Sequence, residues 1–214
     1  DVRIMYIQTG QEHPDNKRFI QDCETWFSHN IEVFRNQKYS SVFDVIGKTH
    51  YINGVAGARC TLELKKKVRW GIEDEIKVWQ AQVFGFDAGE TKRAQRFTEQ
   101  YPAAKPIFPL IDNGLSKSDC LAIISRAGIE LPIMYKLGFH NNNCIGCVKG
   151  GRGYWALIRE KFPKYYNKMA RIEREIGHSC IRDCFLDELP KDARKLPPIV
   201  PSSSLFCDTD FLDI

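Results

Sequence analysis

The chain has 214 residues, of which 43% are hydrophobic and 12% aromatic, and its formal net charge is +4 from 31 basic and 27 acidic residues. This composition predicts a globular protein with a sizeable core and excludes a polar low-complexity chain. No apolar run approaches the roughly 20 residues that span a membrane, and no signal peptide is visible. We therefore expect a soluble, cytoplasmic protein without a membrane partner.

The N-terminal segment is predicted to form a strand, a helix and a second strand. Residues 1–10 are almost continuously apolar, as in a strand buried on both faces, and residues 31–35 form the next strand. The apolar residues predicted to share one face of the intervening helix are Phe19, Cys23, Trp26 and Phe27. This order predicts an α/β fold with a doubly wound, mostly parallel, Rossmann-like sheet.

The middle of the chain mixes irregular, helical and strand patterns. Residues 36–57 are predicted to be irregular, and a helix is predicted from Arg59 to residue 75. Strands are predicted over residues 77–86 and 105–112. Together with the N-terminal segment, these elements predict an α/β domain over residues 1–130.

The C-terminal part is predicted to be helical. A capping box at Ser116 and Asp119 begins a helix, and Pro163 begins another that ends at Gly177. After the domain at 1–130, the sequence predicts a helical region over 131–190 that carries a Cys-x-x-Cys pair. A Pro/Ser-rich tail, 191–214, follows it.

Eight cysteines are more than most intracellular domains of this size carry. Without an export signal, metal binding or catalysis is favoured over disulfides. Cys23 and Cys120 lie among apolar residues and are expected to pack as small hydrophobes. The candidate ligands, which lie beside polar residues or glycine, are Cys60, Cys144, Cys147, Cys180, Cys184 and Cys207.

Five segments occur in an order that resembles a known family. They read "YIQTGQEHPDNKRFI", "ARCTLELKK", "VFGFDAGETKRAQRF", "IFPLIDNGLSKSDCLAIISRAGI" and "NNNCIGCVKGGRGYW". Together they resemble the phosphoadenosine phosphosulfate (PAPS) reductase family of the adenine-nucleotide α-hydrolase, or PP-loop, superfamily, and in particular its bacterial and phage members. The resemblance spans roughly residues 1–190. It implies an enzyme of sulfur metabolism that binds ATP or PAPS and either reduces a sulfonucleotide or transfers sulfur to a nucleotide-activated acceptor.

One family motif has no counterpart in these 214 residues. It is the glycine- and serine-rich PP-loop, whose backbone N–H groups wrap the nucleotide phosphates. We expect that the sequence lacks its natural N-terminus. The alternative is a degenerate, non-catalytic module that binds a nucleotide or a nucleic acid.

The resemblance also implies a set of nucleotide- and anion-binding residues. Thr9 and Gly10, at the end of the first strand, are expected to line the adenine pocket. The residues expected to contribute to binding of anionic groups are Arg59, Lys65, Gly85, Glu90, Arg93 and Arg96. The alternative for these charged segments is a solvated helix surface.

Cys144 and Cys147 form a Cys-x-x-Cys turn, which places two sulfurs within reach of one metal. The turn follows asparagines and precedes two glycines, whereas a thioredoxin-type redox pair opens a helix after a strand. The further ligands that we predict are Cys60 and Cys207, and the alternative donors are Cys180, Cys184 and His140. Four cysteines suit a [4Fe–4S] cluster or structural zinc, and the resemblance favours the cluster.

Cys207 is also a candidate catalytic nucleophile. The resemblance implies a cysteine near the C-terminus that attacks the sulfuryl group and is then resolved by thioredoxin. Its neighbours Asp208 and Asp210 disfavour a thiolate there, which argues against this role. The implied partners are an adenine nucleotide and a thioredoxin-like reductant or a sulfur donor. A nucleic acid is a less favoured partner, and the sequence is compatible with a homodimer.

Overall fold

The computed structural model of the chain describes residues 2–195 and 197–202. These residues divide into two units, of which the first contains residues up to 72 and 132–199. The second contains residues 73–131 and those from 200 onward. The predicted domain boundaries stay a prediction.

The first unit begins with a parallel strand–helix–strand motif. Strand β1 (Ile4–Gln8) pairs in parallel with β2 (Ile31–Arg35), and helix α1 (Asn16–Phe27) connects them. The register places Ile4 opposite Ile31. This confirms the two predicted strands and the helix between them. The parallel pairing places the carboxyl ends of both strands at the same edge of the sheet.

The predicted apolar face of α1 is only partly buried. Cys23 is 8% exposed, whereas Trp26 and Phe27 are 45% and 46% exposed. The two aromatic rings stack on each other with centroids 5.2 Å apart. The apolar face is therefore exposed at the end of the helix, where the chain turns away through Ser28, a residue with left-handed backbone.

Residues 36–57 contain a helix that the sequence pattern did not predict. Helix α2 (Val42–Thr49) begins after Ser41, whose side chain accepts a hydrogen bond from the backbone N–H of Asp44 at 3.2 Å. Val45 and Ile46 are fully buried. The α2 helix has only 8 residues, which is too few for a helical periodicity to be recognised in the sequence.

The predicted helix from Arg59 is present in three consecutive pieces. Helix α3 (Arg59–Thr61) continues into a π-helical turn (Leu62–Lys66) and then into α4 (Lys67–Ile76). Such π-helical turns are frequent at functional sites. This one carries Glu63 and Leu64, which are both buried.

The remaining part of the first unit is helical, as predicted. It contains α8 (Ile133–Lys136), α9 (Arg152–Lys161), α10 (Pro163–Ile176) and a 3₁₀ turn (Leu186–Glu188). Gly177 ends α10 in a left-handed conformation, with φ of +72°. The largest side chains that are buried at the centre of this unit are Trp155, Phe139, Met169, Met134 and Ile158.

The second unit has a minimal sheet and several short helices. Strands β3 (Gln82–Val83) and β4 (Pro106–Ile107) pair in parallel. The other elements are 3₁₀ turns at Ala88–Glu90 and Pro102–Ala104 and helices α5 (Thr91–Gln100), α6 (Pro109–Asp112) and α7 (Lys117–Arg126).

Two strand predictions in the second unit were too long. Of residues 77–86, only Gln82–Val83 is a strand, and Pro106–Ile107 is the strand part of residues 105–112. Phe84 and Phe86 instead form a ring cluster with Phe97 and Phe108. The apolar run therefore reflects aromatic packing.

The fold is thus mixed α/β, as the sequence predicts. In the part of the chain that the structure describes, each sheet has two parallel strands. Across that same part, every helix is too short or too polar to cross a bilayer.

Candidate cysteine-rich site

Backbone hydrogen bonds fasten the Cys-x-x-Cys turn to the segment that follows β1. The backbone N–H of Ile145 donates to the carbonyl oxygen of Gln11 at 2.8 Å. The side-chain amide of Gln11 donates in return to the carbonyl oxygen of Ile145 at 2.7 Å. Gln11 is only 3% exposed. The turn between Cys144 and Cys147 is therefore positioned by the carboxyl end of β1.

The hydroxyl of Tyr154 closes the turn from its other side. It donates to the carbonyl oxygen of Cys144 and accepts from the backbone N–H of Cys147, both at 2.8 Å. Burial raises the pKa of Tyr154, so the phenol keeps its proton. Gly146, inside the turn, has φ of +75°, which favours glycine. The cysteine backbones are thus held independently of any ligand.

Cys144 lies directly beside the end of β1. Its sulfur is 2.9 Å from the hydroxyl oxygen of Thr9. That hydroxyl donates its proton to Glu12 Oε1 at 2.6 Å, so the Cys144 thiol must be the donor to Thr9. Burial raises the pKa of Cys144 to about 11, and the thiol is protonated near neutral pH.

Two further cysteines, Cys60 and Cys180, lie within electrostatic range of this turn. Burial is the largest of the effects that raise the pKa of Cys60, and the nearby Cys147 raises it further. Burial and the carboxylate of Glu173 raise the pKa of Cys180, and Cys147 and Cys60 raise it further. Asn53 donates to the carbonyl oxygens of Val148, at 2.9 Å, and of Cys180, at 3.2 Å, so the fold brings the Cys180 loop beside the Cys-x-x-Cys turn.

Two lysines place positive charge near these sulfurs. Lys65 lowers the pKa of Cys60 and of Cys144 against the larger effect of burial. Lys149 also lowers the pKa of Cys60. Lys65 was predicted as an anion-binding residue, and its position beside the cysteines is compatible with a bound anion or with thiolates.

A cleft of about 810 Å³ opens next to Cys180 in the first unit. Its wall includes Asn53, Lys149, His178 and Arg182. A smaller cavity of about 160 Å³ reaches Cys147. Small solutes thus have routes to two of the four sulfurs.

The other predicted residues of the first unit are engaged in the fold. A side chain on Gly10, whose φ is +77°, would come within 1.9 Å of the carbonyl oxygen of Ser40. This close approach accounts for the glycine without a nucleotide. Arg59 forms an ion pair of 2.8 Å with Glu63, a side chain that is 3% exposed. Its role in anion binding stays a prediction.

The predicted anion-binding residues of the second unit lie around the start of α5. The guanidinium of Arg93 pairs with Glu90 and lies 4.2 Å from the centroid of the Phe86 ring. Arg96 donates to the carbonyl oxygen of Lys92 at 3.2 Å. Gly85 lies between β3 and this segment. The structure thus brings Glu90 and Arg93 together, and their nucleotide role stays a prediction.

The predicted metal ligands are placed as follows. Cys207 lies outside the described residues, so its two predicted roles stay predictions. His140 instead contacts the carbonyl oxygen of Pro197, and the Cys184 thiol donates to the carbonyl oxygen of Phe185 at 3.4 Å. Within residues 2–195 and 197–202, no three Cys, His, Asp or Glu side chains converge as metal ligands do. Thiols are nevertheless the donor type that zinc and iron–sulfur clusters prefer.

Sequence reasoning missed the polar residues that hold the site. Gln11, Glu12, Asn53 and Glu173 all bond to the cysteine segments or to Thr9. Glu173 falls in the third turn of an amphipathic helix, where a charged residue on the apolar stripe was an available signal. The other three lie in short loops, where periodicity carries no information.

Comparison with known proteins adds one relative. The chain is 24% identical over 180 residues to the uncharacterized protein MJ0066 of Methanocaldococcus jannaschii. The matched region covers 82% of this chain and 36% of that protein, so the chain spans about a third of its relative. No family model matches the chain. No solved structure matches it.

Proposed function

We propose that this chain belongs to a PAPS-reductase-like enzyme that binds an adenine nucleotide and carries out sulfur chemistry at its cysteine-rich site. The proposal includes a doubly wound, Rossmann-like fold, in which β1, α1 and β2 form one strand–helix–strand motif. The ordered resemblance of five motifs supports it. So does the parallel pairing of β1 with β2, because ligands bind at the carboxyl ends of such strands.

The observation that carries the proposal is the 2.9 Å contact between the Thr9 hydroxyl and the Cys144 sulfur. Thr9 directly follows the last residue of β1. A nucleotide bound at that edge of the sheet would therefore lie next to a thiol. An enzyme that couples nucleotide chemistry to sulfur needs such an adjacency.

Two reactions are compatible with this arrangement. In sulfonucleotide reduction, a cysteine thiolate bonds to the sulfur of PAPS, the S–O bond to the nucleotide breaks, and a dithiol reductant then releases sulfite. In sulfur transfer, an acceptor oxygen attacks the α-phosphate of ATP and displaces pyrophosphate. A sulfur donor then replaces that oxygen, and AMP leaves.

In this proposal Cys144 and Cys147 hold the metal together with Cys60 and Cys207, of which Cys207 lies outside the described residues. A [4Fe–4S] cluster, when bound, would supply an iron site for a sulfur ligand or an electron relay. Structural zinc would instead fasten the turn. Lys65 places positive charge near the thiolates of Cys60 and Cys144 and stabilises them.

The first test is nucleotide binding measured by isothermal titration calorimetry with ATP, PAPS and GTP. We expect ATP or PAPS to bind and GTP to bind at least about tenfold more weakly, since the proposal requires adenine recognition. Lys65→Ala should weaken binding, whereas Lys164→Ala, which removes another exposed lysine, should not. If none of the three nucleotides binds, the enzyme proposal fails, and of the non-catalytic alternative only a nucleic-acid-binding module is left.

The second test separates the two reactions. The protein is incubated with PAPS and reduced thioredoxin, and sulfite and adenosine 3′,5′-bisphosphate are measured. A parallel incubation contains ATP, sulfide and a pool of small acceptors, and AMP and pyrophosphate are measured. Product in the first incubation assigns reduction, and product in the second assigns nucleotide-activated sulfur transfer. The absence of both products would contradict catalysis.

A further inference from the structure

We propose that the outer face of α10, together with the adjoining Phe43 of α2, binds single-stranded nucleic acid. This inference goes beyond the proposed function, and neither depends on the other. The surface belongs to the first unit and combines a stripe of cations with a row of aromatic rings. We call it the α10 surface, and its residues are Lys164, Lys168, Arg171, Phe43, Phe162 and Tyr165.

The stripe of cations lies on the solvent side of α10. Lys164, Lys168 and Arg171 are exposed and follow one another at positions i, i+4 and i+7, which places them on one face of the helix. The buried residues Tyr166 and Met169 lie on the opposite face. The helix rises by roughly 10 Å from the first cation of the stripe to the last. This length matches about three phosphates of one nucleic-acid strand.

The cations of the stripe differ from Arg174 on the same helix. Arg174 forms ion pairs with Asp187 and Glu188, each with an N–O distance of 2.7 Å. Across residues 2–195 and 197–202, no carboxylate forms an ion pair with any of the three stripe cations. Glu175 is also exposed, at the end of the helix, and the stripe remains net positive. Its positive charge is therefore available to an anionic partner.

The row of rings lies beside the stripe. The centroid of the Phe43 ring is 5.9 Å from that of Tyr165, and the Tyr165 centroid is 6.3 Å from that of Phe162. All three side chains are half-buried and pack against the hydrophobic core. Lys168 connects the row to the stripe, because its Nζ lies 4.4 Å from the centroid of the Phe43 ring. The core contacts account for the buried part of the row, and the rest faces solvent.

Cations next to accessible rings favour a single strand over other polyanions. A single strand offers its phosphates to the cations and its unstacked bases to the rings. In a duplex the bases stack on one another, and an acidic peptide has no bases that could stack on the rings. Because every base has a flat face, we expect little sequence preference. The phosphate contacts should make the affinity fall with salt.

The test is fluorescence anisotropy with the purified chain. The probes are labelled oligouridylate and oligothymidylate of about 12 nucleotides and a duplex of the same length, and polyglutamate is the competitor. We expect both single strands to bind at least about tenfold more tightly than the duplex, a difference of about 1.4 kcal/mol. Polyglutamate should displace them only weakly. The RNA and DNA probes show whether the ribose hydroxyl contributes to binding.

Two double variants with the same loss of charge separate the stripe from the net charge of the protein. Lys168→Ala/Arg171→Ala should weaken binding of the single strands at least about tenfold. It should also reduce the slope of log affinity against log salt concentration by roughly 1.4, at about 0.7 for each lost phosphate contact. Lys105→Ala/Lys191→Ala removes two exposed lysines elsewhere and should leave the affinity and the slope nearly as in wild type.

A third variant tests the row of rings. Phe43→Leu keeps an apolar side chain against the core and removes the ring. We expect it to weaken binding of the single strands at least about fivefold, since stacking of one base on a ring contributes about 1–3 kcal/mol. The slope of the salt dependence should not change, because no phosphate contact is lost.

A further measurement needs no substitution. A strand that contains 5-iodouracil is bound to wild-type protein and irradiated, and the crosslinked residues are identified by mass spectrometry. We expect crosslinks at Phe43 or Tyr165. This measurement stays informative if Phe43→Leu does not fold.

The outcomes separate this inference from the proposed function. If the single strands do not bind, or if the duplex or polyglutamate binds as tightly, the inference is wrong. Crosslinks confined to residues outside the α10 surface would also overturn it. The calorimetric titration with mononucleotides tests the proposed function at the end of β1. Lys164→Ala distinguishes the two sites, because it should weaken binding of the oligonucleotides and leave that of ATP unchanged.

Discussion

The carboxylate of Glu173 lies 2.5 Å from the backbone nitrogen of Cys180, and its side chain is fully buried. A second backbone N–H, that of Leu186, donates to the same carboxylate at 2.6 Å. Burial raises the pKa of Glu173, and the two N–H groups oppose that rise. The residue therefore acts as an internal acceptor for a loop that has no regular secondary structure to satisfy its N–H groups.

We expect Glu173→Gln to lower the free energy of unfolding by about 1–3 kcal/mol. Glutamine has one acceptor oxygen, so one of the two N–H groups would lose its partner. Urea denaturation at neutral pH measures the change. Glu175→Gln, an exposed position on the same helix, is the control and should be neutral. Equal stabilities for the two variants would contradict the role of Glu173.

Removal of the Gln11 side chain should loosen the Cys-x-x-Cys turn. In Gln11→Ala, the carbonyl oxygen of Ile145 loses its bond of 2.7 Å and the backbone N–H of Phe43 loses its bond of 3.2 Å. Each unsatisfied buried group costs about 1–3 kcal/mol. We expect reduced stability and faster alkylation of Cys147 in metal-free protein.

The matched control for Gln11→Ala is Gln37→Ala, which removes the same side chain from an exposed position. It should alter neither the unfolding free energy nor the alkylation rate. If Gln11→Ala changes stability but leaves the labelling of Cys147 as in wild type, Gln11 stabilises the fold without holding the turn.

Gly10→Ala should be more destabilising than its backbone angle alone explains. A Cβ at Gly10 would meet the backbone of Ser40, its oxygen at 1.9 Å, whereas a Cβ at Gly177 has nothing within 4 Å. Their φ angles are similar, +77° and +72°. Gly177→Ala should cost about 1–2 kcal/mol, the cost of the left-handed backbone, and Gly10→Ala should cost clearly more. Equal losses by thermal denaturation would refute the steric argument.

The start of α7 should be sensitive to acid. The hydroxyl and backbone N–H of Ser116 donate to Asp119 and lower the pKa of that carboxyl below 3.8. A carboxyl group whose pKa is lower in the folded than in the unfolded state stabilises the fold at pH values above its unfolded-state pKa. This stabilisation is lost as the pH falls through its folded-state pKa. Amide hydrogen exchange of α7 should therefore accelerate as the pH falls below about 4, after correction for the intrinsic rate.

Two variants check the capping interpretation. Ser116→Ala should reduce protection of α7 at neutral pH by about 1 kcal/mol, since the helix loses its N-terminal cap. Asp119→Ala should remove the additional loss of protection in acid. An unchanged acid response in Asp119→Ala would show that another carboxyl is responsible.

Local sequence signals predicted the elements whose stability is largely local. β1, β2, α7 and α10 were found where short apolar runs, a capping box and a terminal glycine indicated them. The Cys-x-x-Cys turn was also visible, because its two sulfurs are close in sequence. Strand length in the second unit was overestimated, since aromatic residues pack on one another there as readily as they pair in a sheet.

By itself, the sequence determined the mixed α/β class, the helical C-terminal region and the cysteine pair at 144 and 147. Only the tertiary structure brought the Cys180 loop beside Val148 and placed Thr9 against Cys144. Such contacts depend on loop hydrogen bonds from Gln11, Asn53 and Glu173, which have no periodicity along the chain. Residues far apart in sequence meet because the buried polar groups of these loops must each find a partner.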